Sequence, residues 1–217
     1  MKKTKFPFEI WWKNAGEEEI QAAFAFSDDY LRFLNDCKTE REVADFTEAQ
    51  LKEQGFQSLD ELLAHRPAGA FCSLKPGDKV YKVVHGKAVL AAVIGASPAQ
   101  EGFNIIASHI DSPRLDFKQT PLYEDINLAL AKTHYYGGIK KYQWVTIPLA
   151  IHGTVILKDG RKVKIHLGDK EGDPCFVITD LLPHLAHEQM AKKANELVTG
   201  EGLNVLLGSL PLAPEEE

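Results

Sequence analysis

One stretch constrains the fold more than any other: Asn104-Ile105-Ile106-Ala107-Ser108-His109-Ile110-Asp111-Ser112-Pro113-Arg114-Leu115-Asp116. It starts as a short apolar run, with Pro98 and Gly102 marking a loop before it, and this predicts a buried strand over residues 103–108. It ends in a burst of polar groups around His109 and Asp111, broken by Ser112-Pro113. In open α/β sheets, sites gather beyond the carboxyl ends of the strands, and His109 falls where that rule would put it. Residues two apart on a strand project to the same side. If extended geometry persists through position 111, the Asp111 carboxylate can accept the imidazole N–H of His109 and fix which ring nitrogen remains. A metal-bound histidine usually needs that arrangement, and neutral imidazole is a good zinc ligand. The same spacing also suits an ordinary surface His–Asp hydrogen bond, and the spacing alone leaves both readings open. One histidine and one aspartate do not hold a catalytic metal, which takes about three protein ligands and an open position.

The residues before this stretch read mainly as helix. Phe6, Phe8, Trp11 and Trp12 form an aromatic arm that packs on the protein's own body or on a neighbouring subunit. Glu17-Glu18-Glu19 suits a helix start, where negative charge complements the dipole. Phe26, Tyr30, Phe33, Leu34 and Cys37 then recur at helical spacing, predicting a helix over residues 17–37 with a core-facing stripe. Thr39 and Glu42 form a capping-box pattern that opens a second helix, which carries Val43, Phe46 and Leu51 inward and stops at Gly55. Ser58 and Glu61 repeat the pattern for a short third helix ending before Pro67. The period then changes. Residues 79–84 and 87–94 are rich in β-branched side chains and predict a hairpin, with His85-Gly86 at the turn.

After Asp116 the texture is β-rich. Residues 122–130 predict a strand region, and His134-Tyr135-Tyr136-Gly137-Gly138 a polar turn. Residues 144–150 form an apolar run in which Pro148 marks an edge or a bulge. The clearest hairpin pairs residues 154–157 with 161–167 around Lys158-Asp159-Gly160, with Val163, Ile165 and Leu167 alternating with polar residues. Residues 176–178 add a further strand, and residues 183–199 predict a helix closed by Gly200. The change of texture puts a domain boundary near residue 118, between an α/β piece (1–118) and a mostly β piece (119–217).

Charge and cysteine usage remove several functions. The formal net charge of −6 argues against general nucleic-acid binding. Cys37, Cys72 and Cys175 are odd in number and widely spaced, against a disulfide framework or a thiolate zinc site, and a reducing cytoplasm is the simplest setting. No apolar stretch approaches the ~20 residues of a spanning helix. The basic start, Met1-Lys2-Lys3-Thr4-Lys5, is followed by no apolar segment of the kind a secretory signal carries.

The stretch Ile106-Ala107-Ser108-His109-Ile110-Asp111-Ser112-Pro113-Arg114-Leu115 resembles the first metal-ligand motif of the M18 metalloaminopeptidases, the aspartyl aminopeptidase family. His134-Tyr135-Tyr136-Gly137-Gly138-Ile139-Lys140-Lys141-Tyr142-Gln143-Trp144 is similar to that family too. So are Leu181-Leu182-Pro183-His184-Leu185-Ala186 and Thr199-Gly200-Glu201-Gly202-Leu203-Asn204-Val205. The resemblance spans most of residues 20–212. It implies part of a zinc-peptidase-like α/β/α domain, followed by an inserted β-rich dimerisation domain. It implies a zinc-dependent aminopeptidase, working on peptides with preference for acidic N-terminal residues, assembled as a homo-oligomer through the β-rich domain. Two zinc ions per complete site are implied. By the resemblance His109 is a terminal ligand of one of them, and Asp111 orients it. His184 and His187 are the candidates for a histidine reaching a neighbour's active site, with His134 a weaker one; His65, His152 and His166 read as structural. The bridging carboxylate, the general-base glutamate and the remaining ligands that the resemblance implies fall after the inserted domain, beyond residue 217. The expectation is therefore an N-terminal portion, inactive by itself. The alternative is a non-catalytic oligomerisation module without a working metal centre.

Overall fold

The computed structural model describes residues 9–65 and 73–211. Phe6, Phe8, Pro67 and Cys72 lie outside the described residues. The chain forms two compact units, Met1–Ile110 and Asp111–Glu217.

In the first unit a 3-10 turn, Trp11–Lys13, leads into helix α1 (Glu17–Asp36). The Glu19 carboxylate accepts the Gly16 N–H at 2.8 Å, so the acidic first turn satisfies a donor the helix leaves open. Trp12 rests against Phe24 of α1, with ring centroids 6.1 Å apart. The apolar stripe is present but does not face a core. No residue of α1 is buried, and Phe26 is 76% exposed. Within the stripe, Phe33 meets Phe46 of the next helix at 5.1 Å, and Cys37 at the helix end is buried.

Helix α2 (Glu40–Glu53) starts with the expected capping box. The Thr39 hydroxyl accepts from Glu42 N at 3.4 Å, and the Glu42 carboxylate accepts from Thr39 N at 2.8 Å. Gly55, at φ +79°, takes the left-handed position after the helix. Strand β1 (Gln57–Ser58) precedes helix α3 (Leu59–Ala64), whose first turn is capped by Ser58. β2 (Lys79–Val84) and β3 (Ala88–Val93) form the expected hairpin, and β1 pairs parallel to β2. His85 and Gly86 both have positive φ, 52° and 64°, and sit inside a turn closed by the Lys87 N–H on the Val84 carbonyl at 3.0 Å. Arg41 of α2 donates to the His85 carbonyl at 3.2 Å, so the turn is tied to the helix. Val80 and Tyr81 of β2 and Ala44 of α2 are buried. The Tyr81 hydroxyl donates to Glu48 at 3.0 Å.

Residues 103–113 do not form the expected buried strand. Ile105 is 72% exposed and Ile106 fully so. A strand needs a neighbour to take its backbone hydrogen bonds, and among the described residues no strand pairs with this run.

In the second unit, β4 (Arg114–Asp125) and β5 (Leu128–Tyr136) make a long antiparallel hairpin. What reads in the sequence as one strand region over 122–130 is two strands around a tight turn. Ile126 and Asn127 both sit at positive φ, 49° and 58°, and no glycine marks the position. The His134-Tyr135-Tyr136 part of the expected turn is strand, and the chain leaves the sheet at Gly137. β6 (Ile151–Ile156) and β7 (Lys162–Leu167) form the expected hairpin, with Gly160 at φ +84°.

The segment 183–199 is not one helix. Helix α4 is only His187–Met190, flanked by turns. The Gln189 amide donates to the Asp180 carboxylate at 2.9 Å and Leu181 N donates to the same oxygen. These bonds hold a turned path that brings Ala186 and Val198 to buried positions while Leu185 and Met190 stay exposed. The tail returns as β8 (Val205–Gly208) on the free side of β5, giving the order β4-β5-β8. The core gathers Val145, Phe176, Ile178, Val198, Leu203 and Val205. Phe176 and Val177 reach it through single bridges to Leu149 and Leu206 rather than through a regular strand.

Candidate active-site corner

The first rung of the β4–β5 hairpin pairs Arg114 with Tyr136. The guanidinium lies 4.1 Å from the centre of the Tyr136 ring, a cation–π contact. Its Nε donates to Asp116 at 2.8 Å and Nη1 to the Ser112 carbonyl at 3.3 Å. This clamps the chain just before β4. The Tyr136 hydroxyl, with its ring set by that contact, donates to the Asp111 carboxylate at 2.7 Å. Asp111 is half-buried. Gly137 completes the corner. At φ +84° a Cβ there would stand 3.4 Å from Pro113 Cα, in a backbone conformation that side chains avoid.

The loop 199–205 closes on the same sheet. A Cβ on Gly200 would lie 2.8 Å from the Tyr135 ring, so only glycine fits without displacement. The buried Thr133 hydroxyl donates to the Leu203 carbonyl. Lys118 pairs with Glu201 at 2.6 Å, and this hydrogen bond holds the Glu201 carboxyl below its ordinary range.

His109 is exposed, on the irregular run 103–113, and the division between the two units falls between Ile110 and Asp111. Among the described residues no set of three His, Cys, Asp or Glu side chains gathers round His109. An imidazole and a held carboxylate two residues apart fit the donor chemistry of one corner of a zinc site, and not a whole one. His184 is exposed in a turn and His187, also exposed, opens α4. His134 is exposed on β5, its ring stacked beside Tyr135. His65 closes α3, its Nδ1 2.8 Å from the Glu61 carbonyl. Burial, then the nearby Glu42 carboxylate, push the Cys37 thiol up, which disfavours a thiolate role. Tyr136 is the residue that sequence reasoning missed. Its signal was membership of the 134–144 string, but its partner follows only from the cross-strand register.

Residues 33–216 match the family described as aminopeptidase I zinc metalloprotease (M18). The chain belongs to the M18 family. It is 46% identical over 206 residues to the probable M18 family aminopeptidase 1 of Clostridium acetobutylicum, covering 95% of this chain and 43% of that protein. The Thermotoga maritima counterpart is 44% identical over 206 residues, covering 95% and 42%. The crystal structure of the M18 aminopeptidase from Thermotoga maritima superposes with a TM-score of 0.82 at 43% identity, covering 98% of this chain and 44% of that one. Aminopeptidase I from Borrelia burgdorferi gives 0.77 at 41% identity, covering 95% and 44%. The chain thus spans less than half the length of the M18 relatives it matches.

Proposed function

We propose that this M18 chain supplies the first metal-ligand corner of a zinc-dependent aminopeptidase that removes N-terminal, preferentially acidic, residues from peptides. In this reading His109 is the metal ligand. Asp111 accepts its second ring N–H, and Tyr136 holds Asp111 in place. The observation that carries the reading is the hydrogen bond from Tyr136 to Asp111, which joins two separate stretches of family-like sequence at one carboxylate. When bound, zinc polarises the scissile carbonyl and lowers the pKa of a bound water. The residues of this chain do the positioning: Arg114 sets Tyr136 and Tyr136 sets Asp111; on this proposal Asp111 in turn fixes which nitrogen of His109 is offered.

Residues 1–118 are then part of the catalytic domain and residues 119–217 the inserted β-rich domain that pairs subunits. His184 and His187, both exposed, are the candidates to reach a neighbour's site. Cys37 and Cys175 are free thiols, which supports a reducing cytoplasmic setting. Among the described residues no helix is long and apolar enough to cross a membrane.

These 217 residues hold one of the zinc ligands the resemblance implies, so alone they are expected to turn over no substrate. Co-expression with the C-terminal remainder of the Clostridium acetobutylicum relative tests this, using release of an acidic aminoacyl chromophore as readout. Turnover is expected in the complemented protein, lost with His109→Ala and lowered about 10–100-fold by Asp111→Asn. Turnover indifferent to His109→Ala contradicts the reading. The second reading, a non-catalytic oligomerisation module, draws on the self-contained core of the second unit. It predicts a stable oligomer and no turnover on complementation.

A further inference from the structure

The β6–β7 hairpin carries a group of side chains that the reading above does not use. His152 and His166 are directly opposed across the ladder. Opposed residues on paired strands project from the same face. Their rings meet edge to face, with centroids 5.0 Å apart at 69°. A ring nitrogen of one lies within 4.8 Å of a ring nitrogen of the other.

Asp169, just past β7, places its carboxylate on Nε2 of His152. The loop that presents it is pinned on both sides. Asp173 accepts from Gly168 N at 2.9 Å and from Lys170 N at 3.1 Å. Gly168 itself, at φ +103°, packs so closely on Ala150 that a Cβ would stand 2.9 Å from the Ala150 Cα. The carboxylate is therefore delivered by a fixed turn.

A carboxylate on one ring nitrogen fixes the tautomer and leaves the other nitrogen as a lone-pair donor, the arrangement behind most metal-bound histidines. Zn–N bonds of ~2.0–2.1 Å in a tetrahedral site need the two nitrogens roughly 3.3 Å apart. The nitrogens lie within 4.8 Å of one another, and the exposed His166 ring is the one whose rotation that closure calls for. We propose that His152 and His166 form a two-imidazole chelate for a divalent transition metal, zinc first, with Asp169 orienting His152 and water filling the remaining positions. The proposal does not depend on His109 being a ligand or on the chain being a peptidase.

The test is a zinc titration of the full 217-residue chain carrying His109→Ala, followed by calorimetry. One zinc per chain is expected. Adding His166→Gln or His152→Gln is expected to weaken binding at least tenfold, and adding Asp169→Asn to weaken it less. No binding in the His109→Ala chain, or a change under threefold on adding His166→Gln, overturns the proposal. A second readout needs no folded histidine variant. Acylation of histidines by diethyl pyrocarbonate, mapped by peptide mass spectrometry, is expected to slow at His166 when zinc is added and to stay unchanged at the exposed His184. Equal rates at His166 with and without zinc overturn it.

Discussion

Both units leave large apolar side chains at the surface, but the second gathers its buried ones into one core while the first has a smaller buried set. In the second, Ile178 and Leu203 are sealed, with Phe176 and Val205 beside them. Among the described residues of the first, the buried set is Cys37, Ala44, Val80 and Tyr81, while Phe24, Phe26, Tyr30 and Leu31 on α1 and Phe103, Ile105 and Ile106 after the hairpin are exposed. Sequence periodicity reports that a face is apolar and says nothing of what covers it. The α1 stripe and the apolar run before His109 have the composition of core elements; within the described residues the stripe is covered only toward Phe33 and Cys37, and Phe103, Ile105 and Ile106 stay exposed.

The largest effect that would test this contrast is a pair of truncations. Leu203→Ala, at a fully buried position, is expected to cost about 2–5 kcal/mol. Leu31→Ala, at an exposed position of α1, is expected to stay within about 0.5 kcal/mol. Urea midpoints at constant m-value measure both; equal effects would break the comparison. Gly200→Ala comes next. Its new Cβ meets the Tyr135 ring, and overpacking of this kind costs about 1–3 kcal/mol. Thermal unfolding should show it in the transition of the second unit. Thr39→Ala removes the α2 cap and is expected to cost about 1 kcal/mol, in the first unit.

What was legible in the sequence divides along the same line. Helices α1, α2 and α3 and the β2–β3 and β6–β7 hairpins carry local signals: caps at Thr39 and Ser58, glycines at turns, alternation along a strand. The strand expected at 103–108 rested on an apolar run after the Pro98 and Gly102 loop, and the helix expected at 183–199 on a stretch closed by Gly200, with no cap at its start. The first lacks a pairing neighbour. In the second, the Gln189 bond to Asp180 stabilises turns over a continuous helix. The β4–β5 turn was missed because Ile126 gives no turn signal. With it went the register that puts Tyr136 beside Asp111. His109 and Asp111 were legible as a pair; the hydroxyl that holds Asp111 was not.

The smallest expected effect is acid-side. The hydrogen bond from Lys52, then that from Tyr81, lowers the Glu48 carboxyl below its ordinary range. A lowered folded-state value contributes stability above the unfolded value of about 4.3, and that stability is lost as pH falls through the folded value. Glu48→Gln is therefore expected to flatten the loss of first-unit stability below about pH 4.3 and to leave the second unit unchanged. Tyrosine fluorescence with far-UV circular dichroism across pH 2.5–6 reads it.

Hydrogen exchange on the intact chain tests the contrast itself most directly. The central strand β5, bonded on both edges and next to the sealed core, is expected to exchange only on global opening of the second unit. Amides of residues 103–110 are expected to exchange close to the unprotected rate. Protection over 103–108 equal to that of β5 would contradict the account, because the run before His109 would then be a held strand and the first unit as closed as the second.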